Sequence, residues 1–209
     1  MTLTTLTPAA LCPGFDEPVH EAQQTFRQVL TALAEPGTLH PVQAGPAPEG
    51  VHRASWLVCL TLLDAETPLW IAPPLDSPAL RDALRFHCGC PLVSDPRQAA
   101  FALLTPESAP LPDAPLAAFD PGTHAYPDRS ATLILQLEGV DSGGMLSLTG
   151  PGISGSRSVS LVGLDATWLS ALEANHTLFP CGVDLILTAP DALMGLPRTT
   201  AVQRLTGRN

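Results

Sequence analysis

The strongest constraint on the fold is the stretch at residues 131–152. Its first part, residues 133–137, is a nearly unbroken apolar run, which is typical of a strand covered on both faces. Residues 141–144, with the sequence DSGG, tolerate the backbone conformations of a tight turn, and an extended apolar pattern resumes at residues 145–148. The stretch therefore predicts a β-hairpin that needs helices to cover its faces.

Helices and further strands are predicted on both sides of this hairpin. Capping residues, prolines at helix starts and helical spacing place helices at residues 18–34, 51–63, 78–87 and from residue 165 onwards. Short apolar runs predict strands at residues 38–42, 69–72, 101–104, 159–162 and 183–188. Strands that alternate with helices indicate a layered α/β domain with a mixed sheet.

Three of the predicted helices carry apolar faces. The first has one apolar stripe, formed by Val19, Gln23, Phe26, Leu30 and Leu33. The helix at residues 51–63 is apolar almost all round, which predicts burial on more than one side and an outer face that contacts another subunit. On the helix at residues 78–87 we expect Leu80, Leu84 and Phe86 to face the core.

The chain divides into a short arm and one domain. Residues 1–14 are uncharged and aperiodic, which predicts a flexible N-terminal arm, and residues 15–209 are predicted to form a single domain. Residues 105–127 contain six prolines and predict a long irregular surface loop.

Charge and composition exclude several functions. The net charge of −10 argues against binding to nucleic acid or to an anionic membrane. All ten basic residues are arginines, so the chain itself offers no lysine for a pyridoxal-phosphate aldimine or a Walker-type phosphate site. The sequence shows neither a membrane-spanning run nor a secretion signal, and its five cysteines are odd in number. These features predict a cytoplasmic protein with reduced thiols.

A metal site is one interpretation of His87, Cys88 and Cys90, because imidazole and thiolates suit zinc. The other cysteines are isolated in the sequence, whereas a Cys-x-Cys pair usually needs a second pair of ligands. We therefore favour structural thiols and no metal, and we regard a Cys/His nucleophile as weakly supported.

Arginines supply the candidate anion sites. Arg85 and His87 could hold a phosphate, but pairing of Arg85 with Asp82 and helix capping by His87 are favoured. Asp184 lies in an apolar strand, so it is either functional or paired with an arginine such as Arg198.

Arg198 with Thr199 could bind an anion or brace the C-terminal segment, and bracing is favoured. The glycine-rich residues 148–152 predict a tight turn rather than a phosphate loop, because no helix start or lysine follows them in the required register.

Several segments, taken together and in order, resemble the PhnH family, the H subunit of the bacterial carbon-phosphorus lyase system for phosphonate use. The resemblance covers about residues 19–201, and Cys88 and Cys90 do not look like family features. The segments that carry it are residues 22–27, 35–37, 63–64, 67–70, 84–87, 91–94, 131–136, 148–150, 152–153, 179–180, 182–188 and 196–200.

This resemblance implies a three-layer α/β/α sandwich similar to the large domain of pyridoxal-phosphate-dependent transferases, without the cofactor. It implies assembly with G, I and J subunits, whereas the apolar surface at residues 56–63 or on a neighbouring helix is what predicts a homodimer in isolation. It also implies a role in forming ribose 1-phosphonate 5-triphosphate from a nucleoside triphosphate and an alkylphosphonate. No catalytic residue is carried over from the family.

Three hypotheses follow from the sequence. The first is an accessory subunit of a multi-subunit transferase that is not catalytic alone. The second is a self-sufficient enzyme with a Cys, His or metal site, and the third is a small-anion-binding regulatory protein. The lack of a convergent catalytic set in the sequence favours the first.

Overall fold

Helices and strands follow one another along residues 11–205, which is the part of the chain that the computed structural model describes. The helices are α1 (Pro18–Ala34), α2 (Arg53–Leu62), α3 (Pro78–His87) and α4 (Ala166–Thr177). The strands are β1 (His40–Pro41), β2 (Leu69–Ile71), β3 (Leu92–Val93), β4 (Phe101–Leu104), β5 (Thr132–Gln136), β6 (Gly139–Thr149), β7 (Arg157–Val162), β8 (Asp184–Thr188), β9 (Ala192–Leu196) and β10 (Ala201–Arg204).

Most of the predicted N-terminal arm, residues 1–10, lies outside the described residues. Its last four residues, 11–14, contact the body of the protein: the Cys12 carbonyl bonds to His87, and the Pro13 carbonyl accepts a hydrogen bond from Trp56.

The strands form two sheets. Seven of them make a central mixed sheet in the order β1-β9-β8-β5-β4-β2-β3, and β10, β6 and β7 make a smaller antiparallel sheet. In the central sheet β8, β5, β4, β2 and β3 are parallel, whereas β9 runs antiparallel to both of its neighbours. The predicted α/β class and the mixed sheet are confirmed.

The central sheet separates two hydrophobic clusters. Along β5, Leu133 and Leu135 belong to one cluster and Ile134 to the other, as expected for side chains that alternate between the faces of a strand. One cluster contains the buried residues of α1, α2 and α3. The other contains those of α4, the small sheet and the segment after β4, so the second outer layer is only partly helical.

The predicted hairpin is wrong. β5 pairs with β4 and β8 in the central sheet, whereas β6 pairs with β7 and β10 in the small sheet. The DSGG segment lies inside β6, where the register against β7 shifts between Ser142 and Leu146. A Cβ on Gly144 would lie 2.6 Å from the Val159 carbonyl oxygen. The glycines therefore allow an irregularity within a strand rather than a reversal of the chain.

The apolar stripe predicted on α1 does not face the core of the protein. Val19, Phe26 and Leu30 are 75%, 50% and 57% exposed, whereas Val29 and Ala32 are buried. The reason lies in β9: a Cβ on Gly195 would lie 2.3 Å from the Ala32 carbonyl oxygen. The helix approaches this strand so closely that only the face with small side chains fits against it.

The structure also bears on the predictions for α2, for Phe86 and for the proline-rich segment. Residues Trp56, Leu57, Val58 and Cys59 of α2 are buried within the chain, so most of this helix is unavailable to another subunit. Phe86 is 72% exposed, so its predicted place in the core is wrong. The proline-rich segment is anchored by Leu116 and Phe119, which are buried.

Across residues 11–205, no helix combines the length and apolarity needed to span a membrane.

Candidate functional site

Asp184 and Arg198 form an ion pair at the amino end of the central strands. The Arg198 Nε donates to Asp184 Oδ1 at 3.1 Å, and the Arg198 backbone N–H donates to the same oxygen at 2.8 Å. The guanidinium also donates to the Ser130 hydroxyl and to the carbonyls of Pro127 and Pro180. The side chains of Arg198 and Asp184 are 12% and 25% exposed. The pairing that the sequence left open for Asp184 is present.

This network holds the protein together rather than presenting a free cation. It joins the end of the proline-rich segment, the turn after α4, β8 and the turn after β9. Ligands of open α/β sheets bind outside the carboxyl ends of the strands, whereas Asp184 begins β8. The bracing role proposed for Arg198 therefore fits the geometry better than anion binding, which stays a prediction for Arg198 and Thr199.

The glycine-rich segment at residues 148–152 makes close backbone contacts. A Cβ on Gly150 would lie 2.7 Å from the Thr199 carbonyl oxygen, and a Cβ on Gly152 would lie 2.0 Å from that of Ala34. The segment therefore packs against the end of α1 and the turn that contains Thr199, which agrees with the predicted turn.

Arg85 and His87 point to separate partners at the end of α3. Arg85 Nη1 donates to Asp82 at 3.2 Å, and both side chains are exposed. His87 Nε2 donates to the Cys12 carbonyl at 2.9 Å, and its ring lies edge-on to Trp56. The favoured pairing of Arg85 with Asp82 is present, and His87 binds the segment before α1 instead of capping α3. Phosphate binding by these two residues stays a prediction.

Three cysteines lie near one another, and burial keeps their thiols protonated. The Cys88 thiol donates to the Cys59 carbonyl, and burial, assisted by Cys90, raises the pKa of Cys88 to about 12. Burial likewise raises the pKa of Cys90, and raises that of Cys59 well above its usual value. Protonated thiols are poor metal ligands and poor nucleophiles. Between residues 11 and 205, no group of three or more His, Cys, Asp or Glu side chains is arranged to hold a metal ion.

Polar groups that the sequence reading missed meet at the carboxyl end of β5 and β8. The buried Gln136 side chain accepts from the His52 backbone N–H at 2.8 Å and donates to the Gly50 carbonyl at 3.1 Å. The Ser55 and Thr188 hydroxyls are 2.7 Å apart and both residues are buried. These contacts hold the N-terminus of α2 against the ends of two parallel strands, at the edge where α/β sheets bind ligands.

Two unsatisfied polar atoms lie at this helix start. His52 is the N-cap of α2, but no side chain caps the helix. His52 Nδ1 and Arg53 Nε are buried and have no hydrogen-bond partner among the described residues. The sequence indicates this site only by what it lacks. Val51 and His52 precede the buried helix, and neither valine nor histidine is a usual N-cap residue.

Arg53 lines a cavity of about 530 Å³ at this edge. The wall also contains Glu138, which follows β5, and Asp191, which lies between β8 and β9. The Arg53 Nη1 donates to the Pro46 carbonyl at 2.6 Å, so the guanidinium is held in place. With one arginine and two carboxylates the wall has no excess of positive charge, so it does not suit a polyanion.

The pH dependence of stability should report on His52. Burial lowers the pKa of His52, and the nearby Thr188 backbone opposes this shift only in part. The unfolded chain therefore takes up the proton at a higher pH than the folded chain, and stability is lost as the pH falls from about 7 towards 5. We expect His52→Gln to show a smaller loss than the wild type in urea unfolding at pH 7.5 and 5.5.

His40, whose pKa is also lowered mainly by burial, is common to both proteins and cancels in this comparison. Equal losses for the two proteins would contradict the role assigned to His52.

A second, apolar cavity of about 790 Å³ lies between α4 and the proline-rich segment. Its lining includes Leu116, Phe119 and Leu178, and Asp113 is its one charged residue within the described part of the chain. It offers burial for apolar groups but no set of groups for acid, base or nucleophilic chemistry.

Comparison with known proteins covers nearly the whole chain. The model of the family described as bacterial phosphonate metabolism protein (PhnH) matches residues 13–203. A protein of Rhizobium meliloti (strain 1021) named alpha-D-ribose 1-methylphosphonate 5-triphosphate synthase subunit PhnH is 38% identical over 194 residues, which cover 91% of this chain and 94% of the relative.

A second relative comes from Stutzerimonas stutzeri. It is HtxG, named as a candidate C-P lyase subunit protein, and it is 31% identical over 180 residues, which cover 86% of this chain and 85% of the relative. Both the extent of the family match and the identity to these relatives confirm the resemblance seen in the sequence. The chain belongs to the PhnH family of bacterial phosphonate metabolism proteins.

Proposed function

We propose that this chain is an accessory subunit of a carbon-phosphorus lyase core complex in phosphonate catabolism. In this role it is needed to form ribose 1-phosphonate 5-triphosphate from a nucleoside triphosphate and an alkylphosphonate. The observation that carries the proposal is the relative that is 38% identical over almost the full length of both chains and is named as a subunit of the corresponding synthase.

The chemistry of the described residues supports an accessory role. Displacement of adenine by a phosphonate requires several convergent cationic groups or metals around a crowded polyanion. Arg85 and Arg198 are already paired with carboxylates, and Arg53 shares its cavity with two acids. The cysteines are held as thiols, which disfavours the alternative of a self-sufficient Cys/His enzyme.

The partners and the fold relationship are part of the same proposal. We propose assembly with G, I and J subunits in the cytoplasm, and a homodimer when the chain is isolated. The seven-stranded mixed sheet, covered on both faces, supports a relationship to the large domain of pyridoxal-phosphate-dependent transferases. We propose that the chain works without that cofactor, because it has no lysine to form the aldimine.

Where the subunit meets a small ligand, we place the contact at Arg53. The cavity beside it lies at the carboxyl ends of β5 and β8, and the buried Arg53 Nε is a donor without a partner among the described residues. This observation also supports the alternative of a small-anion-binding regulatory protein.

Reconstitution tests the proposal. The chain alone should release no adenine from ATP and methylphosphonate, whereas leaving it out of a mixture with its companion subunits should abolish or strongly reduce product. In the same mixture, Arg53→Gln tests the ligand contact, and Arg97→Gln, also in the described part of the chain but away from this cavity, is the control.

Each result has a definite meaning. Turnover by the isolated chain would disprove the accessory role. Full activity without the chain would disprove its part in the transferase step and leave the anion-binding alternative. Loss of product with Arg53→Gln in an intact assembly would support the ligand contact, and unchanged activity would exclude it.

A further inference from the structure

The guanidinium of Arg53 keeps one edge free for a ligand. Its Nη1 donates to the Pro46 carbonyl at 2.6 Å, which fixes the group in place. Gly45 covers its flat face, because a Cβ on Gly45 would lie 3.0 Å from Nε, 3.1 Å from Cζ and 3.2 Å from Nη2. The edge formed by Nε and Nη2 has no hydrogen-bond partner among the described residues. Such an edge can bind two oxygens of one carboxylate or phosphonate.

Two carboxylates line the same cavity. Glu138 follows β5 and Asp191 lies between β8 and β9, and both residues are exposed. Within the described part of the chain, neither of them forms a salt bridge. A simple anion on Arg53 would therefore meet one positive and two negative charges in the wall, and the repulsion would offset the attraction.

The other side of Arg53 adds more negative charge. A smaller cavity of about 160 Å³, which Arg53 also lines, has Asp16 and Glu21 in its wall. Among the described residues, Arg53 is the one basic residue in the lining of either cavity. A ligand that binds to this arginine therefore needs a positive group of its own.

We propose that the cavity beside Arg53 binds a compact zwitterion, with its oxyanion on Arg53 and its ammonium group between Glu138 and Asp191. The proposal rests on the ligand contact placed at Arg53 under the proposed function, and it names the class of ligand. In that function the oxyanion is a phosphonate, so the ligand is an aminoalkylphosphonate. The cavity volume of about 530 Å³ suits a small molecule. An ammonium group has three donors, which two carboxylates can share.

A divalent cation is the competing partner for the two carboxylates. Mg²⁺ is commonly held by one or two carboxylates together with the oxygens of a phosphate ligand. Residues 11–205 contain no group of three or more His, Cys, Asp or Glu side chains arranged to hold a metal ion. A metal in this cavity would depend on the ligand and on water for most of its coordination, whereas an ammonium group needs only the two carboxylates.

Calorimetric titration of the isolated full chain tests the ligand class. In the presence of EDTA, 2-aminoethylphosphonate should bind about ten-fold more tightly, or better, than ethylphosphonate or ethylamine. Each of these two probes lacks one charged end and so loses one set of charge-assisted hydrogen bonds. β-Alanine has the same spacing with a carboxylate, and it should bind more weakly than 2-aminoethylphosphonate. Equal or tighter binding of β-alanine would overturn the assignment of the oxyanion as a phosphonate.

Variants locate the two ends of the ligand. Arg53→Gln should weaken the binding of 2-aminoethylphosphonate and of ethylphosphonate alike, by about ten-fold or more. The double variant Glu138→Gln with Asp191→Asn should weaken only 2-aminoethylphosphonate, and ethylphosphonate should bind at least as well as before, because the repulsion is gone. Glu66→Gln, in the turn between α2 and β2 and outside this cavity, is the matched control and should change neither affinity.

Gly45→Ala tests the position of the guanidinium without changing any charge. The new Cβ would press on the flat face of Arg53 and displace the guanidinium, so 2-aminoethylphosphonate should again bind more weakly. This variant also covers the case in which Arg53→Gln does not fold, and thermal unfolding of each variant shows which of them are folded.

Three results would overturn the inference. The first is equal binding of 2-aminoethylphosphonate and ethylphosphonate to the wild type, and the second is no binding of 2-aminoethylphosphonate at all. The third is ethylphosphonate that binds as tightly as 2-aminoethylphosphonate once Mg²⁺ replaces EDTA, which would assign the carboxylates to a metal. These titrations need no companion subunits, so the ligand class and the accessory function can fail independently of each other.

Discussion

Gly195→Ala is expected to lower the free energy of unfolding by about 3 kcal/mol. The new Cβ would lie 2.3 Å from the Ala32 carbonyl oxygen and 2.6 Å from the Leu33 backbone nitrogen. These are backbone atoms of α1 and cannot rotate away as a side chain would. Relief therefore requires α1 to move off β9, which opens the cluster on that face. Urea unfolding followed by tryptophan fluorescence measures the change.

The matched control is Gly139→Ala. Gly139 is also in a strand, and the nearest atom to its Cβ would be a side-chain atom of Val162 at 3.5 Å, which is an ordinary contact. The free energy of unfolding should change by no more than about 0.5 kcal/mol. A similar loss at both positions would show that the effect comes from glycine in a strand and not from the close packing of α1.

Arg198→Ala is expected to cost about 2–4 kcal/mol of folding free energy. The substitution leaves the Asp184 carboxylate without its guanidinium and removes hydrogen bonds to Ser130 and to the carbonyls of Pro127 and Pro180. The range is set below that of a fully buried pair because Asp184 is 25% exposed. Replacing Asp184 by Ala as well should restore part of the loss, since no unpaired charge then remains.

Arg85→Ala is the control for this experiment. Its partner Asp82 is also a carboxylate, but both side chains are more than half exposed, so the loss should stay below about 1 kcal/mol. An Arg198→Ala protein that keeps its stability and its assembly but no longer supports product formation would contradict the bracing role. It would show instead that Arg198 contacts a ligand.

Local signals predicted the local structure well. Ser77 and Pro78 mark the start of α3, and the Ser77 side chain accepts from the Leu80 backbone N–H as a cap should. Asp165 caps α4 in the same manner, and the apolar run at residues 101–104 coincides with β4. The sequence also offered Arg198 as a partner for Asp184, because an acid inside an apolar strand needs a partner or a function, but it did not decide between the two.

These local signals do not determine which helix face packs against the sheet or which strands pair with one another. The exposed and the buried face of α1 are both partly apolar, so helical spacing alone does not decide which face lies against the sheet. What decides between them is Gly195, far away in sequence, because its lack of a side chain lets the small-residue face lie close to β9. The predicted hairpin failed for a related reason: β5 already has parallel neighbours on both sides, so β6 must pair elsewhere.

The sequence did not predict the site at the carboxyl edge of the sheet, because this site also depends on contacts between distant segments. His52, Gln136 and Thr188 come from three distant segments, and none of them belongs to a short motif. Their meeting depends on β5 and β8 being neighbours in the sheet. The only local hint was a buried helix that lacks a capping residue, which indicates an unsatisfied helix start but not what lies beside it.

The place of β9 in the sheet has a consequence for biosynthesis. His40 of β1 pairs with Leu193, and the buried face of α1 packs at Gly195, so the first helix and the first strand both depend on a strand that is made much later in the sequence. During translation, α1 emerges from the ribosome long before its packing partner exists. Both of its apolar faces are then open to solvent, which is the condition that favours binding by chaperones and aggregation of nascent chains. Completion of the central sheet therefore waits until residues 192–196 have been made.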